Sequence, residues 1–488
     1  MIDLTKDEAQ LERTIQRARE RNIVIPTFAQ MRNPDGAPTR IKEELKGIDL
    51  WDITPQNLFR ITWKNEPKVN GGGFQPLANY MEIPSELSGV DTRIIALVGK
   101  WFPTGAHKVG ASFGCLVPPL VSGQFDPTKH KAVWPSTGNY CRGGAYDSKL
   151  LGCESVAILP EGMSQERFDW LETIASEVIK TPGSESNVKE IYDKVWELRR
   201  TRDDVFIFNQ FAEFGNYLWH YDITGHAMTE ILDKELGNDE YRGVCLTTGS
   251  AGTIGSGDFM KQAYPHSKIV AGEAVQCPTL WLNGYGGHRI EGIGDKHVPW
   301  IHNVRNSDMI IAIDDDDTMN LIRLFNEPAG KKYLIEEIGI SEEFVNQLDL
   351  LGISSIANML MSIKFAKYYE LTGNDVVLTI FTDSMEMYQS RLREAREQFG
   401  EYTEKDAIKD YHRHLMGMKT DAMIELDYYD RKRVHHLKYF TWIEQQGFET
   451  EELDRQWYDY KNYWGGIQQT VPKIDELINE FNERVGLI

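Results

Sequence analysis

Between about residue 93 and residue 390 the chain alternates short β-rich runs with helical patterns, and this alternation restricts the fold more than any other feature of the sequence. Such runs, separated by helix-length segments, are the signature of an open parallel α/β sheet. The flanks read differently. Residues 1 to 92 open with a charged helical pattern from Lys6 to Arg21, pass through a Pro/Asn/Gly-rich stretch, and include the loop-like Asn70-Gly-Gly-Gly-Phe74; they are expected to form an arm or cap. Residues 391 to 488 read as a helical extension rich in aromatics, including Tyr439-Phe-Thr-Trp442 and Trp457-Tyr-Asp-Tyr-Lys-Asn-Tyr-Trp464, which are expected to pack on the main domain or on a second subunit.

Four strand-to-helix passages carry candidate chemistry. After Ile94-Ile-Ala-Leu-Val-Gly99 comes Thr104-Gly-Ala-His-Lys108-Val-Gly-Ala-Ser112, a lysine entering a helix among small residues. Partial desolvation lowers a lysine pKa and frees its amine for imine formation, so Lys108 is a candidate Schiff-base lysine. After Ala132-Val-Trp134 comes Ser136-Thr137-Gly138-Asn139, whose turn at a helix start offers converging N–H groups to a carboxylate. After Val244-Cys-Leu-Thr comes Gly249-Ser250-Ala251-Gly252-Thr253, which lacks bulky side chains and suits a phosphate. Its glycines match neither the dinucleotide fingerprint nor a nucleotide P-loop, so a monophosphate fits better than NAD or ATP. The fourth passage, Leu351-Gly352-Ile353-Ser354-Ser355, enters an apolar helix. Each taken alone also fits ordinary helix capping or, for Lys108, a surface lysine.

In combination and in this order, the segments resemble the fold-type-II pyridoxal-phosphate enzymes, which include cysteine synthase, cystathionine β-synthase, threonine dehydratase and the tryptophan synthase β chain. The resemblance runs from about Arg93 to Arg391. It extends to Ile158-Leu-Pro-Glu-Gly-Met-Ser-Gln-Glu-Arg167, Phe208-Asn-Gln210-Phe, His220-Tyr-Asp-Ile-Thr-Gly225, His288-Arg-Ile-Glu-Gly-Ile-Gly294 and Phe381-Thr-Asp-Ser384. It implies a two-lobed, tryptophan synthase β-like open parallel-sheet fold, with the smaller lobe at about 130 to 215 inserted in a catalytic core of 93 to 390. The implied cofactor is pyridoxal 5'-phosphate. Lys108 would form the internal aldimine and act as base on the substrate α-proton. Asn139 would meet the cofactor's 3-hydroxyl side, and Ser136, Thr137, Gly138, Asn139 and Gln210 would bind the substrate α-carboxylate. Gly249, Ser250, Ala251, Gly252 and Thr253 would hold the phosphate, and Ser354, or Ser355 one position on, would face the pyridine nitrogen. A hydroxyl there makes the ring a weaker electron sink than in transaminases, which favours expulsion of a β-leaving group.

The implied activity is α,β-elimination on a β-substituted amino acid through an aminoacrylate, followed by β-replacement as in cysteine synthase or by hydrolysis. A serine/threonine dehydratase or cysteine-type lyase releasing ammonia is the alternative, and a catalytically silent scaffold a further one. His107 before Lys108 is similar to the tryptophan synthase β chain, but Ser136 stands where that chain has an acidic residue, so indole activation is not implied. Cys141 and Arg142 depart from the family pattern. Arg142 reads either as a surface charge or as a reader of an anionic substituent.

Composition sets limits. A net charge of −21 leaves no basic face for nucleic acid or an anionic membrane. Cys115, Cys141, Cys153, Cys245 and Cys277 form no Cys-x-x-Cys pair, which suits a reducing cytoplasm. The charged N-terminal residues are not expected to act as a signal or transit peptide, and no apolar stretch has membrane-helix length. Asp314-Asp-Asp-Asp317 reads as helix capping. His288, His297 and His302 lack metal-ligand spacing, so no metal is expected. A homodimer acting on a small amino acid completes the expectation.

Overall fold

A computed structural model describes residues 2–185 and 187–487. In chain order the strands are β1 (Tyr80–Ile83), β2 (Arg93–Val98), β3 (Lys131–Pro135), β4 (Glu154–Pro160), β5 (Glu177–Thr181) and β6 (Val205–Ile207). They continue with β7 (Glu240–Thr247), β8 (Lys268–Ala274), β9 (Met309–Ile313), β10 (Asp375–Phe381) and β11 (Met423–Glu425). Two sheets result. The larger has the order β1-β2-β10-β7-β8-β9-β11, the smaller β5-β4-β3-β6. The smaller is parallel throughout, and in the larger the five central strands are mutually parallel.

The two edge strands of the larger sheet are antiparallel to their neighbours: β1 pairs with β2, and β11 with β9. Both come from the flanks of the alternating region. Neither is part of a strand–helix–strand crossover, so nothing obliges them to run parallel. The central strands read as unbroken apolar runs, Ile94-Ile-Ala-Leu-Val98 and Met309-Ile-Ile-Ala-Ile313, because helices cover both faces. The Asp314 side chain accepts from the Asp316 amide at the start of the helix Asp315–Asn326, so the acidic run caps a helix. No single helix among the described residues is long and apolar enough to cross a membrane.

The C-terminal aromatics Trp442, Trp457, Tyr463 and Trp464 pack inward, while Tyr428, Tyr429, Phe440 and Tyr458 remain exposed. The Trp442 indole donates to the Val298 carbonyl at 2.8 Å, and Trp464 stands edge-on to Phe214 with ring centroids 5.9 Å apart. Lys438, fully buried, donates to the carbonyls of Trp300 and His302 at 2.8 and 2.7 Å and to Gln456 Oε1 at 2.7 Å. The extension is thus tied to the loop that precedes β9.

Candidate active site

The carboxyl ends of β2, β3, β7 and β10 open on one cleft, where ligands of open α/β sheets bind. Lys108 begins the helix Lys108–Ser122, which approaches the helix Phe214–Trp219 very closely: a Cβ on Gly114 would lie 2.3 Å from the Gly215 carbonyl, and one on Gly215 2.1 Å from the Gly114 carbonyl. Only glycine at both positions allows that backbone approach. Upstream, Thr104 takes φ 66°, in the left-handed region that β-branched residues avoid. Such strain gathers where a turn must aim a functional side chain. Here it precedes Lys108 by four residues.

The Lys108 amine is held by neutral oxygens, Ser250 Oγ at 2.9 Å and Gln210 Oε1 at 3.4 Å. Burial pushes its pKa down to about 8, with the Asp295 charge opposing. His107 beside it is buried, and burial together with the Lys108 charge pushes its pKa down to about 3, so it stands neutral with Nε2 3.3 Å from Thr382 Oγ1.

Lys108, Ser136, Thr137, Asn139, Gln210 and the loop Gly249 to Thr253 all line this cleft. The loop follows β7 and precedes the helix Ile254–Ala263. Ala251 adopts φ 60°, and the amides of Gly249 through Thr253 find no acceptor among the described residues. A row of unsatisfied N–H groups at a helix start is an anion cradle. Asn216 braces the loop, donating from Nδ2 to the Gln210 carbonyl at 3.0 Å and to Ser250 Oγ at 2.9 Å. Ser250 therefore serves Lys108 and Asn216 with its side chain while its amide faces the cradle.

Two expected residues sit back from the cleft wall. Gly138 acts within the turn, its amide donating to Ser136 Oγ at 3.1 Å. Ser354, in the first turn of the helix Ile353–Tyr368, is buried behind Gly292, where an added Cβ would stand 3.8 Å from Ser354 Oγ. Ser355 instead donates to the Asp383 carbonyl at 3.3 Å. Asn139 Nδ2 donates to Asp383 Oδ2 at 2.7 Å, leaving its buried Oδ1 without a partner.

Arg142 matches neither reading drawn from the sequence. It is 1 % exposed, its guanidinium lies 5.4 Å from the Trp51 ring centroid and 5.0 Å from that of Trp170, and it does not line the cleft. The helix Asn139–Leu150 turns it away from the Asn139 side and under the N-terminal segment, where aromatic faces accept a desolvated guanidinium. Cys141 is fully buried in the same helix.

Sequence reasoning missed Glu185 and Asp295, which also line the cleft. The Thr137 hydroxyl donates to Glu185 Oε1, and Arg167 Nη1 donates to the Thr137 carbonyl at 2.8 Å while pairing with Glu291 at 3.1 Å. Burial pushes Glu185 up to about 8 and Asp295 up to about 7. Neither belongs to a local motif that a reading of the chain could have picked out.

The donor set fits a phosphorylated aldehyde cofactor: an amine able to shed its proton, a bare-amide cradle one hydrogen bond away from it, and the orphaned Asn139 Oδ1 across the cleft. Comparison with known proteins agrees. Residues 102–331 match the model of the family described as pyridoxal-phosphate dependent enzyme. A cysteine synthase of Staphylococcus aureus is 31% identical over 259 residues, covering 53% of this chain and 75% of that protein. A cystathionine beta-synthase of Saccharomyces cerevisiae is 25% identical over 328 residues, covering 65% of this chain and 61% of its own. Among solved structures, O-acetyl serine sulfhydrylase isoform 3 of Entamoeba histolytica superposes with a TM-score of 0.55 at 22% identity, over 69% of this chain and 93% of that one, a likeness of fold. With the cleft, the cradle and these matches in the same stretch of sequence, the chain belongs to the pyridoxal-phosphate-dependent enzyme family.

Proposed function

We propose that the protein acts on an amino acid carrying a β-leaving group, by α,β-elimination followed by capture of a nucleophile at Cβ or by hydrolysis. The observation that carries this reading is the buried Lys108 amine, depressed to about 8, between an amide cradle and a hydroxyl-lined turn. When bound, pyridoxal phosphate supplies the electron sink that acidifies the substrate Cα–H. Lys108 anchors the cofactor and then takes the α-proton, a role its lowered pKa suits at neutral pH. Gly249 to Thr253 receive the phosphate on their free amides. Asn139 presents Oδ1, an acceptor suited to the 3-hydroxyl, and Ser354, behind Gly292, is the hydroxyl that would meet the ring nitrogen.

Ser136, Thr137, Asn139 and Gln210 hold the substrate carboxylate, with Gly138 shaping the turn that presents Ser136. Thr137 already donates to a carboxyl oxygen of Glu185, so an incoming carboxylate exchanges one acceptor for another. A charge-assisted hydrogen bond contributes about 1.5–3 kcal/mol, so Thr137→Val is expected to raise KM for the amino acid roughly ten- to hundredfold. Cofactor content, read from the visible absorbance, stays unchanged because Lys108 and the cradle are untouched. An equal loss of cofactor would move Thr137 out of the substrate seat.

The chain is read as an N-terminal arm of 1 to 92, a catalytic core of 93 to 390 with its smaller lobe at about 130 to 215, and a C-terminal extension of 391 to 488. A homodimer in the reducing cytoplasm completes the proposal. It is supported by five free, buried cysteines and by the exposed aromatics Tyr428, Tyr429, Phe440 and Tyr458 on the extension.

Purified protein supplied with pyridoxal phosphate is expected to be yellow and to be bleached by borohydride. It should turn over at least one of serine, O-acetylserine, cysteine, cystathionine, threonine or diaminopropionate, with or without sulfide or homocysteine. Stoichiometric conversion of the cofactor to its amine form during turnover would point to transamination and overturn the reading.

A further inference from the structure

Three described residues that line the cleft carry an acid or amine side chain that titrates near neutrality: Lys108, Glu185 and Asp295. His107, also in the wall, is held neutral. Two carboxyls therefore face one amine, and on the function proposed above that amine is the group taken up in the covalent link to the cofactor. The phosphate brings further negative charge. The cleft is left with an acid that has no counter-charge.

Asp295 is that acid. It follows a tight turn at Gly294, which has φ 74°, and its main chain is pinned: the Gly294 amide donates to the Thr248 carbonyl at 2.8 Å, and Thr279 Oγ1 donates to the Asp295 carbonyl at 2.7 Å. The carboxyl itself makes no hydrogen bond among the described residues, although the residue is 7 % exposed. The titratable groups acting on it are Lys108, Glu185, Cys277 and Tyr192, of which Lys108 is the one cation. Glu185, by contrast, has Thr137 on one oxygen and Arg167 Nη1 at 4.0 Å from the other. A carboxyl fixed by its backbone, unpaired, and opening on the cleft from a residue that is otherwise nine-tenths buried is placed to meet a positive charge or a proton there.

We propose that Asp295 determines the substrate class, pairing with an ammonium group on the substrate Cβ. This deepens the proposed function and rests on it. The pairing does two things. It repels substrates with anionic β-substituents, and it keeps the β-nitrogen protonated, the form in which it can depart. Lys108 accepts the proton from Cα, and the electron pair of that C–H bond becomes the second bond between Cα and Cβ. The Cβ–N bond breaks with its pair going to nitrogen, which already holds three hydrogens and leaves as ammonia. No proton passes through Asp295, so it is a specificity residue that touches the leaving group by charge.

The test offers the holoenzyme four β-substituted alanines: 2,3-diaminopropionate, serine, O-acetylserine and O-phosphoserine. Diaminopropionate is expected to show the highest kcat/KM and O-phosphoserine the lowest. Asp295→Asn, which keeps shape and removes charge, should lower kcat/KM on diaminopropionate about 30-fold or more relative to serine and O-acetylserine, mainly through KM. Asp295→Ser should give the same pattern if the asparagine variant folds poorly. A second readout needs no turnover: unreactive 2,4-diaminobutyrate should perturb the holoenzyme spectrum at lower concentration than norvaline, and Asp295→Asn should erase that preference. A wild type favouring O-acetylserine or O-phosphoserine, an equal loss on all four substrates, or a preference for 2,4-diaminobutyrate that survives in Asp295→Asn would each overturn the inference. A wild type that turns over none of the four, but does turn over cysteine, cystathionine or threonine, overturns the inference and leaves the proposed function standing; one that turns over none of these seven refutes the proposed function, and the binding comparison still decides the role of Asp295.

Discussion

Lys108→Ala is expected to leave a folded protein whose turnover falls by at least about 10³-fold, because on the proposed function the covalent anchor and the α-proton base are the same atom. Borohydride reduction followed by intact-mass analysis should show cofactor on wild-type Lys108 and none on the variant. Folding should survive, since the helix is seated by the Gly114–Gly215 approach while the side chain touches only Ser250 and Gln210 by hydrogen bonds. Lys108→Arg should be equally inactive, as a guanidinium does not shed its proton at any accessible pH. The pH dependence has a definite sign. The pKa is lowered from 10.5 to about 8, so the charge-free amine becomes available well below the usual lysine range. Capture of added pyridoxal phosphate by cofactor-stripped protein should therefore speed up roughly tenfold per pH unit from about pH 6 and level off above about 8. A flat profile, or reduced cofactor on another lysine, would remove Lys108 from its role.

The second large effect is expected at Gly252. The sequence suggests that a side chain there would block the phosphate. The structure places the obstruction elsewhere: a Cβ would stand 2.0 Å from Asn216 Oδ1. Asn216 joins the Gln210 carbonyl to Ser250 Oγ, and Ser250 holds the Lys108 amine, so displacing Asn216 disturbs the cradle, Gln210 and the lysine together. Overpacking of this kind costs about 1–3 kcal/mol, hence Gly252→Ala should weaken cofactor affinity roughly ten- to hundredfold. Gly252→Asp should weaken it more, by adding like charge beside the phosphate. Gly287→Ala, with nothing within 4 Å of the added Cβ, serves as the control and should bind normally. Fluorescence titration decides; unaltered affinity in Gly252→Ala would show that Asn216 is not the brace of the cradle, and unaltered affinity in Gly252→Asp would place the phosphate away from this loop.

The alternation of β-rich and helical segments, and the loops of small residues between them, are local properties of the chain. They announce Lys108, Ser136 to Asn139 and Gly249 to Thr253 because backbone amides at a strand-to-helix turn are arranged by the residues on either side. The acidic run at 314 to 317 is legible for the same reason, a cap being a contact over two or three positions. The edge strands β1 and β11 were not legible, since their direction depends on which distant strand they meet.

Glu185 and Asp295 belong to this second class too. What makes each distinctive is burial beside groups far away in the chain, Thr137 and Arg167 for one and Lys108 for the other, and burial is a property of the packed fold. Asn216 braces Ser250 from 34 positions away, and Arg142 is moved from the surface, where composition would put it, to a buried site against the rings of Trp51 and Trp170. The sequence by itself therefore determined the chemistry available at the strand ends. Only the tertiary structure decided which charges share the cleft and which are left without a partner, because desolvation and Coulomb energy depend on distance in space and not on separation along the chain.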